Sequence, residues 1–297
     1  VNSFFNNPIL LKELRGRMRG WKGAILFIAY LTLLSFFVLS FYAAFAVEAQ
    51  SSFSIENSQI AGKLIFGTVV VSELLMVSFI APALTSGAFA SERERQTFDL
   101  LKISLLSGLE LVLGKLSAAL SYLLLLAFAA LPLEALAFLL GGVGLAEFLI
   151  STLMLFMTAL FFCALGIFAS SFSRRVIVST VLVYGFNIIS TFVFFLGIFL
   201  LAIFESASAA SSQPNPLAAS FFGSLLWFLF STNSLFAAFA SEALLVSENS
   251  LWLVNGGGIF GSMNAVLLSP WIIYVVVYAL GSLFLILFSA YIVNRME

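Results

Sequence analysis

Long apolar runs dominate this chain, divided by short polar breaks. Six of them lie near residues 23–46, 62–90, 110–140, 147–171, 176–204 and 270–293. A transmembrane helix needs about 20 consecutive, mostly apolar residues, and each run meets that length. The pattern predicts six membrane-spanning helices. Runs longer than the minimum are accommodated by tilt or by extension beyond the bilayer. Pro82 and Pro132 fall inside two of them and mark expected kinks, tolerated where neighbours satisfy the freed backbone. The first run exceeds the roughly 7–15 apolar residues of a signal peptide. It reads as a retained span, despite the Ala-Phe-Ala at 44–46.

Residues 205–268 fit this scheme least. They begin polar, with Gln213, Pro214, Asn215 and Pro216, and turn apolar from about Leu217 to Val246. Ser231, Thr232, Asn233, Ser234 and Glu242 interrupt that stretch. A seventh span there would move the C-terminus across the membrane, so external or re-entrant helices are the preferred reading. Asn255 and the three glycines after it read as a flexible turn before the last span.

Composition agrees with the pattern. Of 297 residues, 62% are apolar and 9% are charged, against about 45–50% and 25% in soluble domains. The expected fold is an all-α integral membrane protein. The net charge of −1 points away from nucleic acid. Histidine is absent, which removes histidine metal sites and Ser-His-Asp triads. No metal site or catalytic residue is expected. Cys163, the single cysteine, sits in an apolar run and reads as a small buried hydrophobe. Gly108 to Lys115 only imitates a P-loop: it has one residue too many between its glycines, and leucine follows the lysine.

The cations order the spans. Lys12, Arg15, Arg17, Arg19 and Lys22 precede the first run. Arg93, Arg95 and Lys102 lie between the second and third, with Lys115 just inside the third. Arg174 and Arg175 lie between the fourth and fifth, and Arg295 follows the sixth. Six spans place all of these on one face, leaving Lys63 near the other. The positive-inside rule puts that face, and both termini, in the cytoplasm.

Two of the charged segments are patterned. Leu10, Leu14, Met18 and Trp21 repeat at helical spacing, as do Lys12, Arg15, Arg19 and Lys22. A plain positive-inside anchor would explain the charge but not the two faces. Residues 1–22 therefore read as an amphipathic helix lying on an anionic leaflet, with Asn7 and Pro8 as cap and first position. The second segment is an island of charge, Ser91 to Leu101, holding Glu92, Arg93, Glu94, Arg95 and Asp99. A charge at bilayer depth costs several kcal/mol, about 2.5–3.5 on insertion scales, so the island belongs in water or against another protein. Phe98, Leu101 and Leu105 would form one apolar stripe of a helix starting near Ser91. Ser91 and Glu94 would form its capping box. Two glutamates and an apolar ridge exceed what topology alone requires, which suggests docking on a soluble partner.

Glu-Arg-Glu-Arg-Gln-Thr-Phe-Asp-Leu-Leu and the residues up to Ser107, followed by Gly114-Lys115, resemble the first cytoplasmic loop of ATP-binding-cassette type-two permeases. Asn-Pro-Ile-Leu-Leu-Lys-Glu-Leu-Arg, Asn7 to Arg15, resembles the opening of the same permeases. The chain departs from the family pattern at three places: Gln96 stands where glycine is frequent, Asp99 where glutamate is, and Ser104 where proline is. The resemblance implies a single type-two transmembrane domain over residues 1–297. Residues 1–22 would be a connecting helix, 91–107 a coupling helix, and 205–268 an external or re-entrant segment. A separate ATP-binding subunit would dock on Glu92, Arg93, Glu94, Arg95, Gln96, Thr97, Phe98, Leu101 and Leu105. Two permease subunits, identical or different, would form an export pathway in the cell membrane. ATP and magnesium would belong to the partner, leaving this chain without a cofactor and without enzymatic activity. Arg174 and Arg175 would be a second contact or only a topology signal.

Glu73 and Glu134 remain as carboxylates inside apolar runs. An intramembrane carboxylate is a functional candidate by default. Glu73, near the middle of the second run, therefore supports an alternative: a proton- or ion-driven secondary transporter. Glu134 reads more simply as a packing residue near the outer interface.

Overall fold

The computed structural model describes residues 21–48, 55–97, 107–210, 216–248, 252–255 and 266–295. The helices are α1 (Trp21–Glu48), α2 (Ile55–Thr85), α3 (Ala90–Glu94), α4 (Gly108–Leu140), α5 (Leu145–Phe172), α6 (Val176–Ala210), α7 (Pro216–Ser231), α8 (Ser234–Glu248) and α9 (Pro270–Arg295). Two short strands, β1 (Leu253–Asn255) and β2 (Val266–Leu268), pair antiparallel between α8 and α9. Among the described residues, six helical stretches are long and apolar enough to cross a membrane, Gly23–Ala43, Ala61–Glu94, Gly108–Leu139, Leu145–Phe172, Val176–Gly197 and Pro270–Arg295, or seven if the bent pair Gly223–Ser231 and Ser234–Ser241 counts as one. The six coincide with the six apolar runs, and the chain is compatible with a multi-pass membrane protein. Pro82 and Pro132 both lie within helices, α2 and α4.

The chain divides into two compact units, residues 1–184 with 279–297, and residues 185–278. In the first, α2 is the central element. It packs against α1, α4 and α5, and Phe66, Val69, Leu74, Val77 and Ala81 along it are fully or almost fully buried. With no water-driven collapse between spans, close approach depends on small residues and polar contacts. Gly166 of α5 is one such residue: a methyl group there would collide with the Thr85 hydroxyl of α2. Gly108 is another, since any side chain would strike Asn294 of α9. The freed space is used, for the Gly108 amide donates to Asn294 Oδ1 at 2.9 Å. Ser107 caps α4 in a reciprocal box with Glu110. Tyr122 Oη donates to the Gly23 carbonyl at 3.0 Å, joining α4 to the start of α1.

In the second unit, α7 and α8 do not form one straight rod. They bend by 107° at the break after Ser231. Asn233 makes the turn: its side-chain oxygen accepts from the amides of Leu235 and Phe236, capping α8. The polar interruption at residues 231–234 is thus a corner, which suits a re-entrant or broken path. Trp227, Leu244 and Leu267 form the local core. The β ribbon is a feature that the apolar pattern did not predict. Asn255, expected in a loose turn, ends β1.

Candidate functional site

The charged island folds back on its own chain. After Thr85, α2 loosens into a turn and resumes as the five-residue α3. The Ser170 hydroxyl of α5 accepts from the amides of Phe89 and Ala90, at 2.8 and 2.9 Å. These are the orphan donors that a helix start must satisfy. The expected capping box of Ser91 and Glu94 is therefore not formed. The helix begins before Ser91, whose hydroxyl donates instead to the Gly87 carbonyl.

Each charge of Glu92-Arg93-Glu94 has a separate partner. Lys115 of α4, buried, donates to Glu92 Oε1 at 2.8 Å and to the Ala88 carbonyl at 2.8 Å. Its ammonium also lies 5.2 Å from the centre of the Phe89 ring, within cation–π range. Arg93 donates to the carbonyls of Ser171 and Ser173, at the end of α5. Those acceptors are free because a helix leaves its last carbonyls without intrahelical donors. Glu94 Oε1 accepts from the Val176 amide at 2.9 Å, where α6 begins. A carboxylate at a helix N-terminus also faces the positive end of its dipole. One short segment thus fastens α4, α5 and the start of α6, and we call it the latch.

The expectation of water or another protein as the island's surroundings needs correction for Glu92 and Arg93, which are half-buried, whereas Glu94 is exposed although Val176 holds its carboxylate. Their partners belong to this chain. Arg95, Gln96 and Thr97 are the exposed tip. The helix also ends sooner than the apolar stripe suggested: Arg95 is the C-cap of α3, and Gln96 has φ of +56°. A continuous helix from Ser91 to Leu105 is thereby interrupted. Phe98, Leu101 and Leu105 lie outside the described residues, as do Lys12, Arg15 and Arg19. Lys22 falls within α1. Arg174 and Arg175 are exposed beside the latch, and Arg174 is close enough to Arg93 to repel it.

A second polar group lies farther along the same helix pair. Tyr30 Oη of α1 donates to Glu73 Oε1 of α2 at 3.4 Å, and both residues are 2% exposed. Glu134 of α4 is also buried and lies within electrostatic reach of Glu73. Glu73 lies near the middle of α2, 18 residues from Ile55 and 12 from Thr85. A cavity of about 340 Å³ opens nearby between α2, α4 and α5, lined by Val77, Leu123, Leu124, Ala127, Phe156 and other mostly apolar residues. Among the described residues, no cluster of His, Cys, Asp or Glu is arranged to hold a metal ion.

Four partners of the latch escaped sequence reasoning, and they left two signals. Lys115 stands eight positions into an apolar helix, and a lone cation there needs a counter-charge. Ser170, Ser171 and Ser173 make a polar run at the end of a span, where backbone and hydroxyl groups seek partners. No protein-family model and no curated protein matches this chain.

Proposed function

We propose that this chain is the transmembrane permease subunit of an ATP-binding-cassette exporter, working as a pair of such subunits in the cell membrane. A separate ATP-binding subunit, which carries ATP and magnesium, docks on the cytoplasmic tip at Arg95–Thr97 and the residues that follow. The observation that carries this reading is the division of labour within Glu92–Thr97. Glu92, Arg93 and Glu94 bond to three other helical segments, Glu94 from an exposed position, and Arg95, Gln96 and Thr97 form the exposed end. A tip fastened this way passes a push to several spans at once. The Lys115 of the Gly-Lys pair meets Glu92, which gives two separated parts of the family pattern one physical reason. Gln96 supports the reading too, because its left-handed backbone suits the glycine frequent there in the family.

Gentle purification of the full chain with its co-eluting proteins tests the class. An ATP-binding-cassette subunit should accompany it. In that complex, Arg95→Glu should leave ATP hydrolysis running while transport falls. Absence of any such subunit, or unchanged coupling in Arg95→Glu, overturns the proposal. The buried group of Tyr30, Glu73 and Glu134 favours a second reading, a proton- or ion-driven secondary transporter. Transport that survives Glu73→Gln at full rate removes it.

A further inference from the structure

The β ribbon ahead of α9 has two apolar faces, and only one is covered. Its register pairs Leu253 with Leu268 and Val254 with Leu267. Strand side chains alternate between faces, so Leu253 and Leu268 share a face opposite that of Leu267. Leu267 is buried against Trp227 and Leu244. Leu253 and Leu268 are 55% and 51% exposed, and Trp252, just before β1, is 64% exposed. The ribbon is held firmly: the Ser269 amide donates to the Trp252 carbonyl at 3.0 Å, and Trp227 Nε1 donates to the Leu268 carbonyl at 2.9 Å. Trp252 also packs on Trp271, with ring centres 5.5 Å apart.

We infer that Trp252, Leu253, Leu268 and Trp271 form a lipid-binding surface that enters the headgroup–acyl boundary at the end of α9 remote from Arg295. Three facts favour lipid over a protein partner. No charged residue lies between Glu248 and Arg295, so entering the boundary desolvates no ion. The exposed pair is continuous with a spanning helix, since α9 starts two residues after Leu268. That helix has 26 residues, about 39 Å at 1.5 Å per residue, against a hydrocarbon core of about 30 Å. Its first turn, with Trp271, thus reaches the boundary, where indole rings concentrate because they are apolar with one N–H donor.

The test is a spin label at Leu253→Cys in a Cys163→Ser background, in the full chain reconstituted into phosphatidylcholine vesicles. A label at Gln96→Cys is the water-exposed reference. The label at 253 should collide several-fold more with oxygen than with a water-soluble nickel chelate, the reverse of the label at 96. The preference should persist when anionic lipid is added. Collision with nickel at the reference level overturns the inference. So does an immobilised label reached by neither probe, which would mean a protein covers the face. Fluorescence provides a second measurement that leaves Leu253 intact. Lipids brominated near the headgroup should quench the tryptophan emission more than lipids brominated near the chain end, and Trp252→Phe should remove part of that quenching. Emission from Trp252 that iodide quenches and brominated lipid does not would also overturn it.

Discussion

The same pair of helical stretches carries two polar groups that solve opposite problems. Glu92 meets Lys115 at one level, and Glu73 lies near Glu134 at another. Nineteen residues separate Glu73 from Glu92, and nineteen separate Lys115 from Glu134. Along α4, at 1.5 Å per residue, the two levels are about 28 Å apart, close to the thickness of a hydrocarbon core. The latch joins unlike charges and adds backbone carbonyls and amides as partners. The acid group joins like side chains, and the hydrogen bond to Glu73 comes from a phenol. In the latch Glu92, Arg93 and Glu94 each have an assigned partner, although Glu92 Oε2 is buried without one. A group of the second kind is sensitive to anything that alters its charge.

The contrast breaks most visibly at the latch. Lys115→Met should strand the Glu92 carboxylate and the Ala88 carbonyl. Removing one partner of a buried pair costs about 3–5 kcal/mol; Glu92 is partly solvated, so the loss should fall at or below the lower end. Thermal unfolding in detergent measures it, and Lys115→Met with Glu92→Gln should recover part. Full additivity of the two losses would show that the pair is not coupled. At the other level the effects should be smaller. Tyr30→Phe removes one long hydrogen bond, worth about 1 kcal/mol at most. Glu73→Gln should cost less still, because an amide oxygen accepts from Tyr30 as well as a carboxyl does. A loss larger than that of Lys115→Met would reverse the ranking. One change should be a gain. Gln96→Gly relieves a left-handed residue and should stabilise by about 1 kcal/mol, read as a raised unfolding midpoint.

The spans were legible because the rule that makes them is local. A bilayer demands length and apolarity, and both are written in consecutive residues. The latch was legible only as an anomaly. Its location could be read from charge, but its partners stand about 80 positions away at Ser170, Ser171, Ser173 and Val176, beyond any spacing rule. The misassigned cap shows the same limit. Ser91 and Glu94 have the right spacing for a box, yet the helix starts before Ser91, whose amide bonds the Gly87 carbonyl, and Glu94 accepts from Val176 instead. The stripe of Phe98, Leu101 and Leu105 suggested a continuous helix, and nothing in that spacing reveals a left-handed Gln96. The ribbon was hidden for a different reason: strands of three residues are too short to show alternation, and the nearby glycines suggested only a turn. Glu73 was visible as a buried acid, whereas Tyr30, its donor, stood among many aromatic residues without distinction.

The Glu94–Val176 bond has a consequence on the timescale of proton exchange. The first amides of a helix have no carbonyl of their own helix to bond, and their hydrogens are normally lost to deuterium within the dead time of the experiment. Val176 occupies that position in α6, yet its hydrogen is held by a carboxylate from a segment 82 residues earlier. Its exchange should therefore report not the fraying of α6 but the opening of the turn before Gln96, together with the amides of Phe89 and Ala90. Three amides from two loops would then exchange at one common rate, and that rate would be a clock for how often the latch lets go.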